Sequence, residues 1–195
     1  MDEYPLPTIN CLAFVAYSGA RIVLDGFYVG GQPSDAVYPA IASARIASVV
    51  CVRQPGESVS SPPVPPPPPF HPDHEKAELA KVGVSFTDVP ITRTMTQSEF
   101  DVAATQAALA ILTSASKGPV MVHCSTGDRA SSAFAAMLIA LGMPNTDAVE
   151  FATNQLLLAN SQVTALVQGY SPAPDALGPM REAAAASKIT LPALG

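Results

Sequence analysis

Apolar positions along the chain change period several times, and the changes mark its elements. Arg21 to Leu24 and Phe27 to Val29 are short β-branched or aromatic runs on either side of Asp25-Gly26, the pattern of a tight hairpin. Gly30-Gly31-Gln32-Pro33 ends the hairpin, and Ser34 is placed to cap a helix through about Ala44. Ile46 to Val52 is continuously apolar and β-branched, which suits a buried parallel strand. Pro72 to Val82 returns to helical spacing, and Val84 to Val89 alternates as a strand with one covered face does. Thr96-Gln97-Ser98-Glu99 is a capping box that opens a long helix to about Ser114. Val120 to His123 is again a strand run. From Ala130, with Phe134, Met137, Leu138 and Leu141, the period is helical. Asn145 or Thr146 caps a helix to about Leu158, Ser161 to Tyr170 forms a shorter one, and Pro179 to Lys188 is weakly helical and Ala-rich. Strands alternating with helices predict an α/β domain with a central parallel or mixed sheet of about four to five strands flanked by helices. It spans 21–170, with residues 1–20 as an N-terminal arm and 171–195 as a tail carrying the weak helix.

Composition narrows the picture. The chain has 195 residues, enough for one domain with a full core. Hydrophobic residues make up 48% and charged residues 13%, so most of it is expected to fold. The net charge of -6 argues against a nucleic-acid surface. Many of the 20 prolines cluster in Ser58 to Pro69, inside an inserted loop at 58–72. Such a run forms neither ladder nor helix bonds and is expected as exposed polyproline II. At 62–69 it could meet a proline-recognition partner or be a tolerated surface insertion. Cys11, Cys51 and Cys124 are few and odd in number, which fits a reducing, cytoplasmic setting better than a disulfide framework, with an organelle also open. Asp2 and Glu3 with no basic stretch argue against a secretory signal, and the longest apolar run, Ala133 to Leu141, is too short to cross a bilayer. No membrane or nucleic-acid partner is expected. His71 and His74 stand three apart with no further ligands nearby, so both are read as solvated and no metal or other cofactor is expected.

The chemistry gathers at Val120 to Ser131. An apolar strand runs into Cys124, a small-residue turn follows, and Arg129 stands where a helix begins. A strand-end thiol at a helix N-terminus is where anions gather and thiolates form. Ser125, Thr126 and Gly127 can turn backbone N–H groups inward as an anion nest, and Gly127 allows the tight bend. Arg129 supplies a planar fork for two phosphate oxygens. A nucleophile, a cradle and a cation within six residues are the parts of phosphoryl transfer through a phospho-cysteine. The bland reading is a buried strand-end Cys124 with Arg129 in a surface pair.

His123-Cys124-Ser125-Thr126-Gly127-Asp128-Arg129 resembles the signature of the cysteine-dependent protein tyrosine and dual-specificity phosphatases. Its four residues between Cys and Arg, where five are usual, are similar to the beta-lactamase-hydrolase-like phosphatase branch. Phe27 to Ser34, Val49 to Glu57 and Val84 to Ile91 also resemble that branch, so the likeness covers about residues 20–160. The resemblance implies a phosphatase-like fold and a metal-independent hydrolase of phosphomonoesters, acting on a phosphoprotein or a small phosphorylated molecule. It implies that Cys124 is the nucleophile and that Arg129 clamps the phosphate. Amides from Ser125 through Arg129 toward Ala130 would cradle it, and His123 would orient the loop. Ala130 replaces the Ser or Thr that usually follows the Arg, and Ser131 stands one place later as a possible auxiliary. The loop Pro90 to Met95 has no carboxylate. Asp88, Glu99, Asp101 and Asp128 are the candidate general acids, and Asp128 is preferred because it lies in the turn itself, an arrangement similar to that of the myotubularin-type lipid phosphatases. Asp128 could equally be a partner that holds Arg129. Arg93 adds a second positive group or is merely solvated. Cys51 is a buried apolar residue or, as in similar phosphatases, a trap for the oxidised nucleophile. Two other readings stay open. One is a phosphate-binding module of weak or no turnover, to which Ala130 and the missing loop acid point. The other is a sulfurtransferase working through a Cys124 persulfide.

Overall fold

A five-stranded sheet in the order β1-β2-β5-β3-β4 divides the molecule into two apolar layers. The computed structural model describes residues 21–23, 26–58 and 70–188. β1 (Arg21–Val23) pairs antiparallel with β2 (Phe27–Gly30), the expected hairpin. β5 (Val120–His123) lies between β2 and β3 (Ser48–Cys51), and β4 (Ser85–Asp88) forms the far edge. β2, β5, β3 and β4 all run parallel. The register aligns Gly30 with His123, His123 with Cys51, and Cys51 with Asp88. One line of residues thus crosses the carboxyl edge of the sheet, the edge where open α/β sheets place their ligands.

Strand alternation sends neighbouring side chains to opposite faces. Val49 and Met121 join Tyr38 and Ile41 of α1 (Tyr38–Ser43) and Leu79 of α2 (Pro72–Lys81). Val50, Val52, Val122 and Cys124 face the larger layer, built on α3 (Gln97–Ala115) and α4 (Asp128–Ala140). α4 is buried on every side from Arg129 to Ala140, which its run of small and apolar residues allows. Phe134 of α4 meets Phe27 edge-on, with ring centroids 5.2 Å apart. α5 (Asn145–Gln155), α6 (Ser161–Gln168) and α7 (Leu177–Ala185) complete that side. No helix among the described residues is long and apolar enough to cross a membrane.

Three elements differ from their sequence expectation. The helix expected from Ser34 is a 3-10 turn at Asp35–Val37 followed by the short α1. Pro39 has no N–H to give Asp35, and Tyr38 N–H takes the Asp35 carbonyl instead. α5 ends at Gln155, not near Leu158, because the following residues are bonded to side chains of the first turn of α4. The weak helix expected in the tail begins earlier, at Leu177, and its Met180 is fully buried in the larger layer. The proline run, residues 1–20 and the last seven residues lie outside the described parts. The expected N-terminal arm, the tail beyond residue 188 and the proline-recognition surface at 62–69 therefore lie outside them too.

The capping box forms. Thr96 Oγ1 accepts from Glu99 N–H at 3.4 Å, and Glu99 Oε2 accepts from Thr96 N–H at 2.8 Å. The Thr96 N–H bond, and then the Thr96 hydroxyl, hold the Glu99 carboxyl below its ordinary value. A depressed carboxylate stabilises the fold above its unfolded pKa, and that contribution disappears as pH falls through the folded one. Thr96→Ala is expected to cost about 1 kcal/mol in urea unfolding at neutral pH. The difference between wild type and Glu99→Gln is expected to narrow below the usual carboxylate range.

Candidate active site

The turn from β5 into α4 is held open by its own backbone. Gly127 caps α4 with φ of 99°, in the left-handed region, and a Cβ there would lie 2.3 Å from Leu157 Cδ1. Both conditions require glycine. Gly127 N–H points back along the turn and donates to Cys124 Sγ at 3.2 Å. Cys124 N–H donates to Gly30 O at 3.3 Å and Gln32 N–H to Ser125 O at 3.2 Å, so the hairpin exit braces the turn. Gly31 is needed for that approach, since a Cβ would meet Ser125 O at 3.0 Å. Ser125 is half-buried and Thr126 exposed, whereas Cys124 and Ala130 are fully buried.

The other flank is strapped to residues 156–160. Asp128 Oδ1 accepts N–H bonds from Ala159 at 2.8 Å and Asn160 at 2.9 Å. Ser131 Oγ donates to Gly127 O at 2.8 Å and accepts Leu157 N–H at 3.0 Å. Asp128 therefore works as a clamp through one oxygen. Ser131 sits behind the turn on Gly127, not on the thiol.

Arg129 is 1% exposed and fixed on two sides. Its Nη1 donates to Ile91 O at 2.9 Å, and its Nη2 donates to both Glu57 carboxylate oxygens at 2.7 Å. Nε takes part in neither contact, which leaves one edge of the fork for an oxyanion. Glu57 is held in turn. Arg53 Nη2 donates to Glu57 O at 2.6 Å, and across the base of the insertion Gly56 N–H donates to Phe70 O while Phe70 N–H donates to Glu57 O. Arg53 lies 4.9 Å over the Phe70 ring and donates to Gln32 Oε1 at 3.2 Å. Burial is the largest influence on the Arg53 guanidinium and pushes its pKa down, against the pull of Glu57.

Beneath the turn lies a buried polar group on the α1–α2 side. Register and pleat place Cys51 beside His123, on the face away from the layer that holds Cys124. Glu75 of α2 meets them there. His123 Nε2 lies 3.0 Å from Glu75 Oε1, near enough to pair, yet neither atom makes a well-angled hydrogen bond. His123 Nδ1 is 3.4 Å from Cys124 O. Burial opposes charge on His123 most strongly, but Glu75 and then Cys51 outweigh it and hold its pKa well above the ordinary value. Asp88 joins this group through Cys51, and burial pushes its carboxyl up.

The site residues read from sequence therefore separate into groups. Cys124, Ser125, Thr126, Gly127, Asp128, Arg129 and Ala130 form one turn. His123 and Cys51 lie behind it, with Asp88. Arg93 is exposed, two residues beyond the carbonyl that holds Arg129. Glu99 and Asp101 serve the start of α3, the second by accepting from Gln97 Nε2 at 2.8 Å. His74 pairs with Asp35 on the surface, and His71 is exposed. Sequence reasoning passed over Glu57, Gln32, Glu75, Arg53 and Leu157 as participants. Gln32 lies in the Gly30-Gly31-Gln32-Pro33 exit of the hairpin and Glu57 at the end of the Val49 to Glu57 stretch, but nothing local pairs Glu57 with a residue 72 positions away.

No protein-family profile matches the chain, and no curated protein matches it in sequence. Solved structures do match. The core catalytic domain of the PP-IP phosphatase SIW14 from S. cerevisiae is 14% identical, with a TM-score of 0.62 over 96% of this chain and 100% of that one. TpbA from P. aeruginosa is 16% identical, with a TM-score of 0.56 over 85% and 96%. PTPMT1 is 15% identical, with a TM-score of 0.54 over 85% and 98%. What the chain shares with them is the fold.

Gly127→Ala tests the turn. The left-handed backbone alone is expected to cost about 1–2 kcal/mol, with the Leu157 clash added. Adding Leu157→Ala should recover the clash part and leave the backbone part, as a double-mutant cycle in urea would read.

Proposed function

We propose that this chain, which has the fold of the cysteine-dependent, tyrosine-phosphatase-like phosphatases, is a phosphatase that hydrolyses phosphomonoesters through a phospho-Cys124 intermediate. The observation that carries the reading is the state of Arg129. A guanidinium in a surface pair needs no burial, whereas this one is fully enclosed and aimed by Glu57 and the Ile91 carbonyl beside a thiol. Enclosing such a charge is expensive unless its partners are well placed, and here they also orient it.

In the proposed reaction the Cys124 thiolate attacks phosphorus and the P–O ester bond breaks. The leaving oxygen takes a proton from the acid and departs as an alcohol. Water then attacks the phospho-cysteine, gives a proton to the same carboxylate, and releases inorganic phosphate and the thiolate. Arg129 and the turn amides hold the equatorial oxygens as charge shifts. Ala130 brings no hydroxyl to the departing thiolate, and Gly127 N–H, already on Sγ, takes that part. Asp128 is the proposed acid through Oδ2, since Oδ1 holds residues 159 and 160. Cys124 needs a reducing compartment such as the cytoplasm to stay a thiol. The Cys-X4-Arg spacing keeps the beta-lactamase-hydrolase-like branch as the proposed affiliation. Substrates proposed are a phosphoprotein or a small phosphorylated molecule. The yeast neighbour is a PP-IP phosphatase, and one TpbA structure holds pTyr.

Phosphate release from an aryl phosphate is expected to vanish in Cys124→Ser and to fall by roughly 10²–10³ in Arg129→Ala. Vanadate binding without release would instead indicate a binding module, and thiosulfate-to-cyanide transfer a persulfide enzyme. Asp128→Asn keeps an oxygen for residues 159 and 160 and removes the proton. It should lower kcat about 10²–10⁴ on alkyl phosphates and change little on nitrophenyl phosphate, whose leaving group needs no acid. Equal losses on both would remove Asp128 from that role.

A further inference from the structure

We propose that Cys51, Glu75 and His123 form a binding site for a divalent cation of the zinc class, behind the phosphate turn and separate from it. The Cys51 Sγ, a Glu75 carboxylate oxygen and a His123 ring nitrogen all lie within 4.8 Å of one another, and all three residues are buried. Thiolate, imidazole and carboxylate are the donors that zinc takes. They come from two strands and a helix, so they converge only in the folded chain.

A second observation points the same way. Glu75 Oε1 and His123 Nε2 are fully buried and lack a directed hydrogen bond, and Asp88 Oδ1 beside them is in the same state. Buried polar atoms are ordinarily satisfied, and here Glu75 Oε1 and His123 Nε2, 3.0 Å apart, have only each other without a directed hydrogen bond, so a cation held by both would give each a directed partner. The atoms that face away from that point are held. Gln32 Nε2 donates to Glu75 Oε2 at 2.9 Å, which leaves Oε1 turned inward. Arg53 N–H donates to Cys51 Sγ at 3.4 Å. His123 Nδ1 faces Cys124 O at 3.4 Å, which directs Nε2 at the cluster. Metal ligands are oriented by outer contacts of this kind.

The charges close. A divalent cation takes sulfur as thiolate and the ring nitrogen unprotonated, so any proton that Cys51 Sγ or His123 Nε2 carries beforehand is released on binding. Thiolate and carboxylate then neutralise it. Asp88, opposite Cys51 in the register of β3 and β4, is a further carboxylate on the same face. With every ligand buried, loading requires local opening or refolding.

The test uses the full chain, refolded under reducing conditions with Co²⁺ or Zn²⁺ after chelator treatment. One Co²⁺ per chain by native mass spectrometry is expected, with a thiolate-to-cobalt charge-transfer band. The band should vanish in Cys51→Ser and persist in Cys124→Ser and Cys11→Ser. Should Cys51→Ser not fold, alkylation of wild type is the reading. Zn²⁺ is then expected to shield Cys51 from maleimide and leave Cys124 as reactive as without metal. No cobalt band in wild type, a band lost with Cys124 in place of Cys51, or equal alkylation of Cys51 with and without Zn²⁺ overturns the site. None of these outcomes bears on phosphate release, so the site and the phosphatase reading stand or fall separately.

Discussion

The bond pair between Arg129 and Glu57 is the constraint from which the site follows. A guanidinium with almost no exposure survives only where its donors are met, and Glu57 and the Ile91 carbonyl meet them from two directions. Each partner brings a loop with it. Glu57 fixes the exit of β3, and Ile91 fixes the loop after β4. Two carboxyl-edge connections are thereby tied to the first turn of α4. Removing Glu57 would leave a buried guanidinium with only the Ile91 carbonyl, so the pair couples the stability of those loops to the integrity of the turn.

The proline-rich insertion acquires a position from the same pair. Its base is closed by backbone bonds between Gly56, Glu57 and Phe70, and Arg53 packs on Phe70 while bonding Glu57 O. Loop closure costs little extra for added length, so an insertion pinned at both ends is tolerated. It leaves the domain next to the residue that aims Arg129. The opposite rim is the 156–160 strap, held by Asp128 and Ser131. The turn thus lies between two connections of different origin, one pinned by an arginine and one by a carboxylate.

The sheet separates two chemistries by its pleat. Cys124 faces the larger layer and the mouth of the turn, while His123, one residue earlier, faces Glu75 and Cys51. His123, the last residue of β5, and Cys124, the next residue, therefore lie in unlike surroundings, one in the buried polar group and one in the larger apolar layer. Gln32 connects them, since its backbone braces Ser125 and its side chain joins Arg53 to Glu75.

Much of this was legible in the chain. The periods located the strands and most helices because burial on one or both faces leaves a local signature, as in Ile46 to Val52 and Ala130 to Leu141. The capping box and the hairpin were readable because their bonds join residues a few positions apart. The turn from Cys124 to Arg129 was readable for the same reason: thiol, glycine and arginine are neighbours. What the sequence could not supply was the partner of each. Glu57 reaches Arg129, Glu75 reaches His123, and the 157–160 backbone reaches Asp128 and Ser131 across long separations. No period or motif encodes those pairs. The sheet order decides them, because setting β5 between β2 and β3 brings three loops and one helix to a single edge. The sequence by itself determined that a thiol, a glycine and an arginine share one strand-to-helix turn. The tertiary structure alone decided how its arginine is aimed and what stands behind its histidine.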